Sequence, residues 1–175
     1  MTAASNVSIN IYTNDIISQI TQTILSEYSA FEGYTKVIKL AQAFGINVIL
    51  GTFTDEHVAG MLKFEDGNVN LYVNEKENEN RKRFTIAHEL GHFILHKEFV
   101  QRQKTNIFYR KDFDNYSDKI EVQANKFAAY LLMPENIIKS LWETFHSIDI
   151  ISTILKVSKQ AATVRLMSLG VIDGN

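Results

Sequence analysis

The sequence has no cysteine, a single proline and no excess of basic residues. Without cysteine, neither a disulfide framework nor a thiolate zinc site can form, and a catalytic nucleophile cannot be a thiol. Any bound metal must therefore use nitrogen and oxygen ligands. The net charge of -2 and the isoelectric point near 6.2 provide no basic surface of the kind that binds nucleic acid nonspecifically. We expect no direct contact with nucleic acid.

Long apolar runs are also absent. No stretch approaches about 18 uninterrupted apolar residues, and the N-terminus lacks a basic segment followed by an apolar one. We therefore expect no membrane partner and a cytoplasmic location. The 175 residues include 45% apolar and 22% charged residues, which is sufficient for one buried core. We expect a main domain over 1–147 and a small C-terminal subdomain over 148–175 packed on it.

Three short runs rich in Val, Leu and aromatic residues predict strands, at about Val48–Phe53, Val58–Phe64 and Val69–Val73. Asp66–Asn68 separates the last two runs as a hairpin turn. We expect these strands to form one small antiparallel sheet.

Apolar spacing and capping residues predict helices on both sides of this sheet. The predicted helices run from Asn14 or Asp15 towards Gly33, from about Thr35 to Phe44, from about Asn80 to His96, from Ser117 or Asp118 to just before Pro134, onward from Pro134, from about Ile148 to Lys156, and from Ser158 to Gly170. The last two resemble a helix-turn-helix. The polar segment Lys97–Asn115 follows the predicted helix that ends at His96, and we expect it to be a substrate-contacting loop.

The segment His88-Glu89-Leu90-Gly91-His92 is an H-E-x-x-H motif within a predicted helix. Four residues turn a helix by about 400°, so the two imidazoles point the same way, about 6 Å apart along the axis. They can bind one metal ion, and Glu89 is placed to accept a proton from a nearby water molecule. These residue types can also fall at this spacing by chance, but the helical context favours a metal site.

A third ligand must come from elsewhere, since a catalytic zinc site takes three protein ligands. His96 lies about 12 Å from His88 along the axis, too far to share one ion, so we expect it to be a ligand's neighbour or a helix-end residue. Glu121 is the better candidate, although it could instead be a solvated charge. Asn125 follows one turn later, and this pair resembles the second helix of gluzincins, in which the later residue orients a liganding histidine. Nitrogen and oxygen ligands favour one Zn²⁺ without excluding other ions.

Two blocks of the sequence carry a family resemblance. The first is RFTIAHELGH, ending at His92; the second is EVQANKFAA from Glu121, followed by LLMP, which ends at Pro134. In order and separation they resemble the ImmA/IrrE family of metallopeptidases, and the resemblance covers roughly 30–172. It implies an α+β, minimal gluzincin-like fold. A three-stranded antiparallel sheet would pack on a central H-E-x-x-H helix and a second ligand helix, followed by helix-turn-helix-like helices.

Characterised members of this family cleave helix-turn-helix repressors at specific sites. The resemblance therefore implies that His88, His92 and Glu121 bind zinc and that Glu89 is the general base. It further implies a protein substrate, a repressor whose loss induces a mobile element, prophage or stress operon. The alternative is a zinc-containing partner or toxin of a toxin–antitoxin-like pair, which binds a repressor without cutting it. The sequence does not specify an oligomeric state.

The strand ahead of the active-site helix suggests where substrate binds. Asn70, Tyr72 and Asn74 alternate onto one face of this strand, and in gluzincin-like folds such a strand offers its edge to an extended substrate. A plain solvated sheet face is equally consistent with the pattern. The last predicted helix offers only Lys159 and Arg165 as cations, so we expect it to contact protein rather than DNA.

Overall fold

A computed structural model describes residues 11–55, 57–65, 67–102 and 115–173. These residues form eight helices and three strands, and the fold is α+β as expected. In chain order the elements are α1 (Asn14–Glu27), α2 (Val37–Ala43), β1 (Ile46–Gly51), β2 (Gly60–Glu65), β3 (Asn68–Asn74), α3 (Glu79–Leu95), α4 (Lys97–Arg102), α5 (Asn115–Leu132), α6 (Glu135–Phe145), α7 (Ile148–Leu155) and α8 (Lys159–Ser168).

The sheet is mixed, so the expectation of an antiparallel sheet is wrong. β2 and β3 form the predicted antiparallel hairpin, with Leu62 opposite Leu71, and Gly67 has the positive φ of 79° that the turn requires. β1, however, pairs with β3 in parallel, with Val48 opposite Leu71. The strand order is β1-β3-β2. Because β3 lies between two strands that run in opposite directions, it must be parallel to one of them.

β3 is the central strand, and this overturns the expectation that it offers an edge to substrate. Its backbone pairs with β1 on one side and with β2 on the other. An extended peptide cannot add to a strand whose two sides are already hydrogen-bonded. The predicted alternation of its side chains holds from Asn70 to Val73, since Leu71 and Val73 are fully buried while Asn70 and Tyr72 are partly exposed, but Asn74 is only 5% exposed.

The core is built around α3 and α5, which pack closely on each other. Gly91 of α3 permits this approach, because an added Cβ there would lie 3.0 Å from the ring of Phe127 on α5. The sheet packs on another side of α3, where a Cβ on Gly60 would lie only 2.3 Å from Cγ2 of Thr85. Both glycines therefore act through close packing, and they set the distance of α3 from its neighbours.

The C-terminal helices begin where their capping residues predict. Ser147 and Ser158 cap α7 and α8 through their side chains. Arg165 of α8 is 6% exposed, and its Nε donates to the Met133 carbonyl at 3.3 Å. This contact anchors α8 on the end of α5. The division between 147 and 148 remains a prediction.

The segment expected to be a substrate-contacting loop starts as a helix instead. α4 covers Lys97–Arg102 and is anchored by Val100, which is 1% exposed. Six residues are fewer than two helical turns, too short for a periodic signal. The remainder of the predicted loop, 103–114, lies outside the described residues. In the described part of the chain, we find no helix with the length and apolarity needed to cross a membrane.

Candidate metal centre

α3 carries both motif histidines on its buried side. Asn78 caps this helix and accepts a hydrogen bond from the Arg81 backbone N–H at 3.0 Å. His88 and His92 are buried and lie one turn apart, so their side chains point the same way. Their Nε2 atoms lie 3.0 Å apart.

α5 brings two side chains to these histidines. The Oε2 atom of Glu121 lies 3.3 Å from Nε2 of His88, and its Oε1 lies 3.1 Å from Nε2 of His92. Asn125, one turn later, accepts a hydrogen bond from Nδ1 of His88 at 3.0 Å. This contact fixes the orientation of the His88 ring, with Nε2 facing His92 and Glu121.

Glu89 lies next to the first histidine in a buried position. Glu89 is 4% exposed, and its Oε2 has no hydrogen-bond partner among the described residues. Burial raises the pKa of this carboxyl group to about 7, although the charge of His88 opposes the shift. A buried carboxyl group without a full set of partners is unfavourable, and such groups are concentrated at functional sites.

His88, His92 and Glu121 each have a pKa that is shifted by burial and by the other members of this group. Burial lowers the pKa of His92 to about 4, so this ring is neutral at neutral pH. Burial also disfavours protonated His88, but its hydrogen bond with Glu121 and the charges of Glu89 and Glu121 raise its pKa. Burial likewise acts to raise the pKa of Glu121, yet the hydrogen bonds from both histidines hold it far below its ordinary value. Glu121 is therefore ionised.

His88, His92 and Glu121 could together hold one metal ion. One ligand atom from each lies within 4.8 Å of the others. Imidazole nitrogen and carboxylate oxygen are the donors that bind catalytic zinc, and three of them leave a coordination position open. The orientation of His88 by Asn125 fits the same purpose, because liganding histidines usually have their second nitrogen hydrogen-bonded.

His96 lies outside this cluster. It follows the last residue of α3, and its Nε2 is 2.8 Å from Oε1 of Gln123, whose Nε2 donates to the Tyr12 carbonyl at 3.0 Å. Gln123 is buried and was not predicted from the sequence. It is two residues from both Glu121 and Asn125, which places it about 200° from each around the helix. Helical spacing from Glu121 therefore does not identify it.

The side chains of the edge residues predicted on β3 bond to groups in the sheet or just before β2. Asn70 Nδ2 and the Tyr72 hydroxyl donate to Oε2 of Glu65, at 3.4 and 3.2 Å. Asn74 donates to the Val58 carbonyl at 3.1 Å. The solvated sheet face, which the pattern left open, fits Asn70 and Tyr72 but not Asn74, which is 5% exposed.

Two histidines one turn apart and a glutamate from a second helix, next to a buried glutamate, are the arrangement found in H-E-x-x-H metallopeptidases. The chain belongs to the peptidase family described as the IrrE N-terminal-like domain, whose model matches residues 41–167. This confirms the resemblance seen in the sequence.

Individual relatives agree with the family. The chain is 29% identical over 154 residues to an uncharacterised immunity region protein 2 of Bacillus phage phi105, covering 87% of this chain and 90% of that protein. It is 26% identical over 130 residues to the metallopeptidase ImmA of Bacillus subtilis (strain 168), covering 74% and 70%. A solved structure, a Mycobacterium tuberculosis transcriptional regulator, has the same fold, with a TM-score of 0.65 at 18% identity. The similarity covers 89% of this chain and 48% of the regulator.

Proposed function

We propose that the protein is a zinc-dependent endopeptidase, in which His88, His92 and Glu121 hold one zinc ion and Glu89 is the general base. The observation that carries this proposal is the buried Glu89 carboxyl group beside a convergent set of three metal-binding side chains. A site that only stored a metal ion would have no use for a fourth ionisable group with a raised pKa.

The proposed roles follow from the contacts of each side chain. When bound, zinc would polarise the scissile carbonyl group and lower the pKa of a water molecule. Glu89 would accept the proton of the attacking water and deliver it to the departing amine nitrogen. A pKa of about 7 suits both transfers near neutral pH. Asn125 would hold His88 in the tautomer that binds metal through Nε2.

The proposed substrate is a helix-turn-helix repressor, whose cleavage would relieve repression of a mobile element, prophage or stress operon. The names of the two relatives support this proposal, since one is the metallopeptidase ImmA and the other is a phage immunity region protein. On α8, burial of Arg165 against the ring of Tyr130 leaves Lys159 as the exposed cation, which suits a protein partner better than DNA. A repressor substrate also favours a cytoplasmic location.

β2 is the strand best placed to pair with an extended substrate. Its Gly60 lies against Thr85, and its Phe64 ring stacks on Phe93 with centroids 6.4 Å apart. Thr85, Glu89 and Phe93 are spaced by four residues, so β2 runs along the row of α3 that contains Glu89. β2 is an edge strand of the described sheet. A bound substrate should therefore slow hydrogen exchange of the β2 amides.

The test is capture of the substrate by tagged Glu89→Gln in the native host, compared with wild type by mass spectrometry. Glu79→Gln provides a matched control, because Glu79 lies on the same helix with its side chain 83% exposed. If the Glu89 variant holds an intact repressor that is truncated in cells with the wild type or the control, the proposal is supported. If all three proteins hold the same intact partner, the protein binds without cleaving and the proposal is wrong.

A further inference from the structure

Four side chains from three separate segments meet beside the start of α3. These residues, which we call the Tyr34 cluster, are Tyr34, Lys36, Arg83 and Lys156. Around the Tyr34 ring, Nζ of Lys156 lies 3.8 Å from the centroid, Nζ of Lys36 lies 4.1 Å from it and Cζ of Arg83 lies 4.9 Å from it. Lys36 also donates a hydrogen bond to the Tyr34 hydroxyl at 3.0 Å. One aromatic ring thus gathers three cations.

The positive charge of the cluster is only partly neutralised. Glu32 lies 3.5 Å from Lys36, but this carboxylate is exposed and also lies 4.0 Å from Lys39. Within the described ranges, no carboxylate oxygen lies within 4.0 Å of the charged nitrogens of Arg83 or Lys156. Cations this close repel one another unless an anion is shared between them. Contacts with the ring face offset only part of that repulsion.

The lack of a neutralising partner is clearest at Arg83. Its Nε donates to the Lys156 carbonyl at 3.0 Å, while its Nη2 is buried and has no hydrogen-bond partner among the described residues. Burial also lowers the pKa of this guanidinium group. A buried guanidinium nitrogen without an acceptor is costly, so the protein gains by bringing an acceptor close.

The phenol of Tyr34 responds to the same positive potential. Hydrogen bonds from Lys36 and Lys156 lower its pKa to about 8, against the opposing effect of burial. The charged groups facing the phenol are Lys36, Lys156 and Arg83, with Glu32 beyond Lys36. An additional anion at the cluster would offset these charges and raise the pKa of the phenol towards its ordinary value.

We propose that the Tyr34 cluster binds a phosphate group, as inorganic phosphate or as a small phosphate monoester. Phosphate is favoured over a carboxylate because Nε of Arg83 is already bonded to a carbonyl, which removes one of the donors used in a two-pronged carboxylate contact. Two lysines acting as point charges and a hydroxyl donor suit a tetrahedral dianion instead.

The proposed site is separate from the metal centre and does not depend on peptidase activity. Arg83 precedes His88 by five residues, so the two side chains are rotated by about 140° around α3 and displaced by about 8 Å along it. The cluster instead joins α3 to the turn between α7 and α8 and to the segment before α2. Phosphate bound there would hold these three segments together and should stabilise the folded protein.

The test uses Tyr34 as its own reporter. Phenol ionisation in the full-length protein would be followed by ultraviolet absorbance against pH, with inorganic phosphate, a nucleoside 5′-monophosphate, or acetate and chloride at matched ionic strength. We expect phosphate to raise the pKa of one tyrosine by about one unit in a saturable manner, which corresponds to about tenfold weaker binding to the phenolate form. Acetate and chloride should produce only the smaller effect of salt screening.

Four variants test whether the response to phosphate arises at the Tyr34 cluster. Tyr34→Phe should abolish the phosphate-sensitive step, and Tyr28→Phe, at an exposed tyrosine, should retain it. Lys156→Asn removes a charge while tolerating the positive φ of 53° at that position, and it should lose the effect. Lys39→Gln, at an exposed lysine 4.0 Å from Glu32, should keep it.

Thermal stabilisation by phosphate provides a second readout, expected for wild type and Lys39→Gln and lost in Lys156→Asn. Equal potency of phosphate and the monophosphate would indicate that the phosphate group alone is recognised, and a tighter monophosphate would indicate an ester ligand; both support the site. If acetate acts as strongly as phosphate, or if Lys156→Asn keeps the full response, the proposal is wrong.

Discussion

Replacing Glu89 with Gln should stabilise the metal-free protein, and the gain should depend on pH in a defined direction. The Glu89 carboxyl group is buried and its Oε2 has no hydrogen-bond partner among the described residues. Burial raises its pKa from the ordinary 4.5 to about 7. Glutamine has nearly the same shape but does not ionise, so the substitution removes the cost of a buried charge and little else.

The sign and size of the effect follow from these two pKa values. Below about pH 4.5 the carboxyl group is protonated in both the folded and the unfolded chain, so it does not affect stability. Between about pH 4.5 and about pH 7 only the unfolded chain ionises, and the stability of the wild type falls. Above that range the full difference, about 3 kcal/mol, is reached. The variant should therefore exceed wild type by about this amount at about pH 8 and match it at about pH 4.

The assay is urea unfolding in the presence of EDTA over this pH range. Glu121→Gln is the informative comparison, because hydrogen bonds from both histidines lower the pKa of Glu121 and its carboxylate stabilises the fold above its ordinary pKa. That variant should be less stable than wild type at neutral pH, the opposite sign. If the stability curves of wild type and Glu89→Gln run parallel at every pH, Glu89 does not carry an uncompensated buried charge, and this reasoning is refuted.

Three further predictions concern the metal centre and its support. Asn125→Ala should weaken zinc binding about tenfold in a chelator competition assay, because His88 loses the acceptor that fixes its tautomer, and Asn125→Asp should restore it; equal affinities would contradict the role of Asn125. Zinc affinity should fall as the pH is lowered below neutral, since a proton competes for His88, whose pKa is raised above its ordinary value; a flat profile would exclude His88 as a ligand. Gly60→Ala should cost about 1–3 kcal/mol in urea unfolding, because its Cβ would lie 2.3 Å from Thr85 Cγ2. Adding Thr85→Ser should restore most of this loss, and no restoration would show that the strain lies elsewhere.

The clustering of the candidate metal-binding residues could be predicted because these residues obey local periodicity. His88 and His92 share a face of α3 by their spacing of four, and Glu121 and Asn125 share a face of α5 for the same reason. In the structure these two faces meet, with Glu121 and Asn125 contacting opposite nitrogens of the His88 ring. Gln123 was missed because it lies on another face of α5, where its role depends on His96 and Tyr12 rather than on a repeat.

Elements that depend on contacts distant in the sequence were predicted less well. The runs of apolar residues indicate strands, but a strand pattern does not encode its neighbours, so the parallel pairing of β1 and the central position of β3 were not anticipated. The substrate edge predicted on β3 failed for that reason. α4 was missed because six residues are too few for helical spacing to be recognised.

By itself, the sequence determined which side chains share a helix face, where most helices begin, and which residues could act together on a metal ion. These properties depend on backbone geometry repeated over a few residues, which every segment carries within itself. Only the tertiary structure decided the strand order, the close approach of Gly60 to Thr85, and the meeting of Tyr34 with three cations from separate segments. Such arrangements arise from packing between distant segments, where the contacts depend on how the whole chain fills its core.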